Sequence, residues 1–192
     1  GGAALAGAAL PANLTQGLRT TAAHSTLVLD DTNSTAILPD GALGKGVSEV
    51  ELDRQEHEQG SRLEIAHDGY ARRLGHIHRR TLVLTNEGRE LRGEDVLLPG
   101  GRRRKPVSCP LAIRFHLGPD VEPTLTADKQ GALLRLPSGA LWQFRVGAGE
   151  LAVEDSLWVD GEGRPHPTQQ LVVNADTGPG GTSIGWLLKK SG

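Results

Sequence analysis

The chain of 192 residues has one cysteine, no methionine and six aromatic side chains: three Trp, two Phe and one Tyr. A lone cysteine cannot close an intramolecular disulfide or supply a Cys-x-x-Cys zinc site, so no cystine framework supports the fold. An excess of charge is lacking too. Lys and Arg number 21 against 23 Asp and Glu, for a formal net charge of −2. That balance gives little electrostatic drive toward nucleic acid or an anionic membrane. No apolar run approaches the roughly 20 residues that a membrane helix needs. Gly1 to Ala9 is small and apolar but has no basic n-region, so it is a poor signal peptide. A chain without methionine reads as a processed product or as a piece of a longer one. At 37% hydrophobic and 23% charged it can bury a core, and its length suits one domain or two small ones.

Turns and alternation are plentiful, with 26 glycines and 11 prolines. Apolar residues at i, i+3, i+4 and i+7 are missing after residue 20, whereas period-two alternation recurs. Strands are expected at Thr26 to Leu29, Val47 to Leu52, Arg62 to Ala66, Thr81 to Leu84 following His76 to Arg80, Asp95 to Leu98, Leu111 to Leu117 and Thr124 to Ala127. More follow at Ala132 to Leu136, Leu141 to Val146, Ala152 to Val159, Gln169 to Asn174 and Ser183 to Lys189. Asn86-Glu87-Gly88, Pro99-Gly100-Gly101, Pro137-Ser138-Gly139 and Asp160-Gly161-Glu162-Gly163 carry turn chemistry between them. About a dozen short strands describe an all-β antiparallel sandwich or barrel in a single domain over residues 1–192, with residues 1–20 as an entry segment. The basic run Arg102 to Lys105 lies between Gly101 and Pro106 and reads as a loop, solvated or clamping an acidic ligand.

Seven histidines are the most unusual polar resource. His76-Ile77-His78 sets two imidazoles on one face of a strand. Such a pair either seeds a metal site or is simply two partly exposed strand histidines, since zinc needs a further protein ligand. His24 sits at the entrance to a strand, where a side chain is held rigidly yet reaches outward. His67-Asp68-Gly69-Tyr70 ends another strand and holds the only tyrosine, either as a tight turn whose Tyr caps a core or as part of a site.

The order of the segments goes further. Ala23-His24-Ser25-Thr26-Leu27-Val28-Leu29-Asp30, His67-Asp68-Gly69-Tyr70, His78-Arg79-Arg80, Gly93-Glu94-Asp95 and Ile113-Arg114-Phe115-His116-Leu117 follow one another. Glu154-Asp155-Ser156-Leu157-Trp158, Thr168-Gln169-Gln170-Leu171-Val172 and Ile184-Gly185-Trp186-Leu187-Leu188 close the series. In this order the chain resembles the C-terminal β-sandwich domain of the heparinase II/III-like polysaccharide lyases, over nearly its whole length. The resemblance implies an N-terminal helical toroid in the same full-length protein, absent from this chain, with a cleft between toroid and sandwich. It implies cleavage of acidic, uronic-acid polysaccharides by β-elimination in bacteria. A base removes the proton at C5 of the uronate, the neighbouring carboxylate is neutralised, and the 4-O-glycosidic bond leaves. Most acid and base groups would come from the toroid, so the isolated sandwich is expected to be inactive.

By the same resemblance His24 matches the sandwich histidine that faces the cleft, as a contact to the substrate carboxylate or an auxiliary base. Tyr70 is a second catalytic candidate and Arg80 a substrate-binding one. His116 reads instead as a satisfied strand histidine. No cofactor is expected. Zinc-binding members carry a second ligand two residues after the strand-entry histidine, and here that position is Thr26, a poor zinc ligand; His78 matches another ligand, but the set is incomplete for a structural zinc. The family's His-Asn-Thr is His24-Ser25-Thr26, without the Asn. The location follows family members to the bacterial periplasm or else the cytoplasm, with neither nucleic acid nor membrane as a partner. A second function class stays open: a non-catalytic carbohydrate-binding or structural module, in which Trp142 or Trp158 stacks on sugar rings or packs in the core.

Overall fold

The structure, a computed structural model, describes residues 11–101 and 105–191. Gly1 to Ala9 and the Arg102 to Arg104 part of the basic run lie outside the described residues. In chain order the strands are β1 (Leu27–Leu29), β2 (Val50–His57), β3 (Gly60–His67), β4 (His76–Thr85), β5 (Glu90–Pro99) and β6 (Cys109–His116). Then come β7 (Glu122–Leu125), β8 (Gly131–Arg135), β9 (Leu141–Val146), β10 (Glu150–Val159), β11 (Pro165–Thr177) and β12 (Thr182–Lys190). They form two antiparallel sheets, a four-stranded one in the order β1-β6-β11-β10 and an eight-stranded one in the order β2-β3-β4-β5-β12-β9-β8-β7. The all-β sandwich expected from the alternation is therefore the observed architecture. Among the described residues helix is confined to α1 (Ala12–Gly17), a single 3₁₀ turn at Thr21–Ala23, and α2 (Ala71–Leu74). A four-residue helix is too short to leave a periodic signature, which is why α2 is invisible in the sequence.

Alternation builds the core. Leu27, Leu29, Leu111, Ile113, Leu151, Leu171 and Val173 point inward from the four-stranded sheet and meet Leu97, Leu134, Phe144, Val146, Ile184 and Trp186 from the other. Burying one such side chain contributes about 1.5–3 kcal/mol, so this set supplies most of the driving force. Phe115, Phe144 and Trp186 form its aromatic centre, with Phe115 4.8 Å from each of the other two ring centroids. Gly93 lies opposite Trp186 in the β5–β12 pair, and a Cβ there would come within 2.1 Å of the indole ring. The glycine is thus the floor on which the tryptophan rests.

The two sheets are unequal in width. β2 lies at the free edge of the larger sheet, and every residue in it is exposed, with Leu52 retaining 67% of its accessible surface. On this outlying part Leu52, Leu63, Leu82, Leu84 and Leu91 line one shallow groove. The other side carries a lattice of charge in which Arg62 pairs with Asp53 and Glu64, and Arg79 with Glu64.

Candidate functional site

Four polar side chains meet beneath the strand ends of the larger sheet. The β3–β4 register sets His67 opposite His78, and the β4–β5 register sets Arg80 opposite Asp95. Gly69 N–H donates to His67 Nδ1 at 3.1 Å, which leaves the His67 proton on Nε2. That nitrogen donates to His78 Nδ1 at 3.3 Å, and His78 Nε2–H donates to Asp95 Oδ1 at 2.7 Å. Arg80 forks onto the same carboxylate, Nε to Oδ1 at 2.8 Å and Nη2 to Oδ2 at 3.0 Å, and Trp186 Nε1–H completes the set at 2.9 Å from Oδ2. Burial alone would raise the Asp95 carboxyl, yet the His78 hydrogen bond and the Arg80 guanidinium hold it below the usual carboxylate range. Burial, reinforced by the nearby His78, lowers His67 to about 4.

The expectation of two partly exposed histidines at His76 and His78 is corrected here. Both are buried, at 0% and 3% exposure, and on one face as the spacing requires. Strand spacing tells which face they share, not whether that face is covered. His76 Nε2–H donates to Val107 O at 2.9 Å. Tyr70 is fully buried, and its hydroxyl donates to Leu27 O at 2.9 Å. Burial pushes that phenol upward from its ordinary value. The tyrosine thus ties the β3–α2 turn to β1.

His24 lies elsewhere, on the exposed segment that leads into β1. Its imidazole has no hydrogen-bond partner among the described residues. The backbone around it is firmly held. Arg80 Nη1 donates to Ser25 O at 2.6 Å, His116 N–H donates to Ser25 Oγ at 3.0 Å, and His116 Nε2–H donates to Ala22 O at 3.0 Å. Of the three sequence candidates, then, Arg80 and His24 are joined through Ser25, while Tyr70 stands one strand away behind Leu27. That His67, Asp95 and Trp186 meet His78 and Arg80 is not legible in the sequence, because only the strand register brings them together.

The residues here do not suit a zinc ion. Asp95 accepts four hydrogen bonds, both ring nitrogens of His78 are engaged, and Arg80 already supplies the compensating positive charge. Among the described residues no group of three or more His, Cys, Asp or Glu is placed to hold a metal.

The family's sequence profile, heparinase II/III-like, C-terminal, matches residues 1–187, and the chain belongs to that family. A curated relative, FtsZ-localized protein C of Caulobacter vibrioides, is 33% identical over 188 residues, covering 85% of this chain and 32% of that protein. Among solved structures, the heparan sulfate lyase HepC of Pedobacter heparinus superposes with a TM-score of 0.74 at 14% identity, over 93% of this chain and 25% of that one. A crystal structure of heparinase III gives 0.70 at 14% identity, over 94% and 25%. The chain thus spans about a third of the curated relative and a quarter of these solved chains.

Proposed function

We propose that this sandwich forms one wall of the cleft of a larger heparinase II/III-like protein that cleaves uronic-acid polysaccharides by β-elimination. The single observation that carries the proposal is His24, an exposed imidazole on a backbone held from both sheets. A uronate C5 proton becomes removable only when the adjacent carboxylate is neutralised, and an imidazole on a fixed backbone is suited to that task or to proton transfer. Tyr70 and Arg80 serve from behind, Tyr70 through β1 and Arg80 through Ser25. The remaining acid and base come from the helical toroid of the same full-length protein, with an acidic polysaccharide as substrate. The test is absorbance of the unsaturated product on heparin, heparan sulfate and alginate, for this chain and for the longer protein. Turnover is expected only from the longer protein, with a large loss of kcat in its His24→Ala variant. Equal turnover by the sandwich alone overturns the shared cleft.

The curated relative supports a second reading, since its name records localisation with FtsZ rather than a reaction. In that reading the sandwich is a non-catalytic binding module. Co-sedimentation with FtsZ polymers, without product formation on any acidic polysaccharide, favours it. Unchanged kinetics in His24→Ala points the same way.

A further inference from the structure

Residues 20–26 have little regular structure of their own. Apart from the 3₁₀ turn, their local backbone bonds are His24 N–H to Thr21 O at 3.1 Å and Thr26 N–H to His24 O at 2.9 Å. The backbone on either side of His24, at Ala22 and at Ser25, is nevertheless gripped from the body of the fold. On one side Ala22 O accepts from His116 Nε2–H. On the other, Ser25 offers its carbonyl to Arg80 and its hydroxyl to the His116 backbone N–H. His116 is at the end of β6 in the smaller sheet and Arg80 is in β4 of the larger, so the segment bridges the two layers. His116 has a defined tautomer. Ala22 O can only accept, so the ring proton is on Nε2, and Nδ1 accepts from the Ser156 hydroxyl at 2.8 Å.

We infer that His116 is a positioning residue: with Ser156 behind it, it sets where the His24 imidazole stands, without touching a ligand itself. Both of its ring nitrogens are engaged, and it is half-buried, so it has no lone pair or proton to offer a substrate. Arg80 is the matching anchor on the opposite layer, held in place by Asp95. The functional meaning of this arrangement rests on the proposal that His24 meets an acidic polysaccharide, but the anchoring does not.

Two measurements test it. The first is hydrogen exchange in this chain. His116→Leu is expected to raise exchange at the His24 and Thr26 amides at least tenfold relative to amides in β11. His116→Gln keeps an N–H donor at the Nε2 position and is expected to restore protection to within about threefold. Unchanged exchange in His116→Leu, or no restoration by Gln, overturns the inference. Should His116→Leu lose β11 protection as well and so fail to fold, Ser156→Ala replaces it, because that change removes only the hydroxyl holding Nδ1. Faster exchange at His24 and Thr26 then supports the inference, and unchanged exchange overturns it. The second measurement is heparan sulfate binding by the longer protein. His116→Leu is expected to weaken it several-fold, and the His24→Ala, His116→Leu double variant to be no weaker than His24→Ala alone. Additive losses overturn positioning. Binding unaffected by His24→Ala overturns the proposed function instead, and leaves hydrogen exchange to decide the anchoring.

Discussion

The Asp95 centre and the His24 segment both hold histidine and are joined by a single arginine, yet they use their polar groups in opposite ways. Around Asp95 the polar groups face inward and are matched: one imidazole, a guanidinium and an indole converge on one buried carboxylate, and a second imidazole backs the first. At His24 only the backbone is matched, and the imidazole is left without a partner among the described residues. A saturated ionic centre is a structural element, costly to break and without capacity for a ligand. An unpartnered side chain on a fixed backbone is the reverse: it adds little stability and is available. In this sandwich the densest polar cluster is thus the one with the least hydrogen-bonding capacity left for a ligand.

The contrast can be broken most forcefully at Asp95. Asp95→Asn leaves the Arg80 guanidinium buried without its counter-charge and is expected to cost about 3–5 kcal/mol in urea denaturation. A loss under about 1 kcal/mol would mean that the centre is not a structural keystone. Tyr70→Phe removes one buried hydrogen bond to Leu27 O and is expected to cost about 1–1.5 kcal/mol by the same measurement. A larger loss of activity than of stability in the longer protein would return Tyr70 to the site.

His67→Gln sharpens the comparison through pH. His67 titrates near 4 in the folded chain against an ordinary value of 6.5. Between those values the unfolded chain binds a proton that the folded one refuses, so stability falls as pH drops from about 6.5 to about 4 and is full above that window. Glutamine accepts from Gly69 and donates to His78 as the neutral ring does, but it does not titrate. Stability near pH 7 should be kept and the acid slope reduced, which a series of denaturation midpoints would measure. An unchanged slope would show that His67 is not the group responsible. His24→Ala is the smallest expected change, within about 0.5 kcal/mol of the parent in stability. A larger loss would make His24 a structural residue.

Much of this was legible in the sequence, in proportion to how far water distinguishes the two faces of a strand. The expected strand Leu141 to Val146 coincides with β9 because its residues alternate between core and solvent. The second half of β2, from Asp53 to His57, went unseen because both faces of that edge strand are wet and no alternation is imposed on it. β11 runs well past the expected Gln169 to Asn174 on either side: Pro165 to Thr168 pair with Val159 to Ser156 of β10, where two prolines mask the strand pattern, and Ala175 to Thr177 pair with Leu111 to Cys109 of β6. At the candidate site His24 and Arg80 could be picked out in the sequence, but the Ser25 carbonyl between them could not. The pairs His67–His78 and Arg80–Asp95 depend on strand register, which a single sequence states only indirectly. The burial of His76 was hidden for a different reason, because period two gives a shared face without saying what lies across from it.

The exposed outer strand of the larger sheet has a consequence for assembly. A bare edge ordinarily invites a stranger's backbone to extend the sheet, the route by which β proteins polymerise or capture extended peptides. In β2 that edge is Glu51-Leu52-Asp53-Arg54-Gln55-Glu56, so any incoming strand must strip water from three carboxylates within six residues. The charge disfavours growth of the sheet at this border.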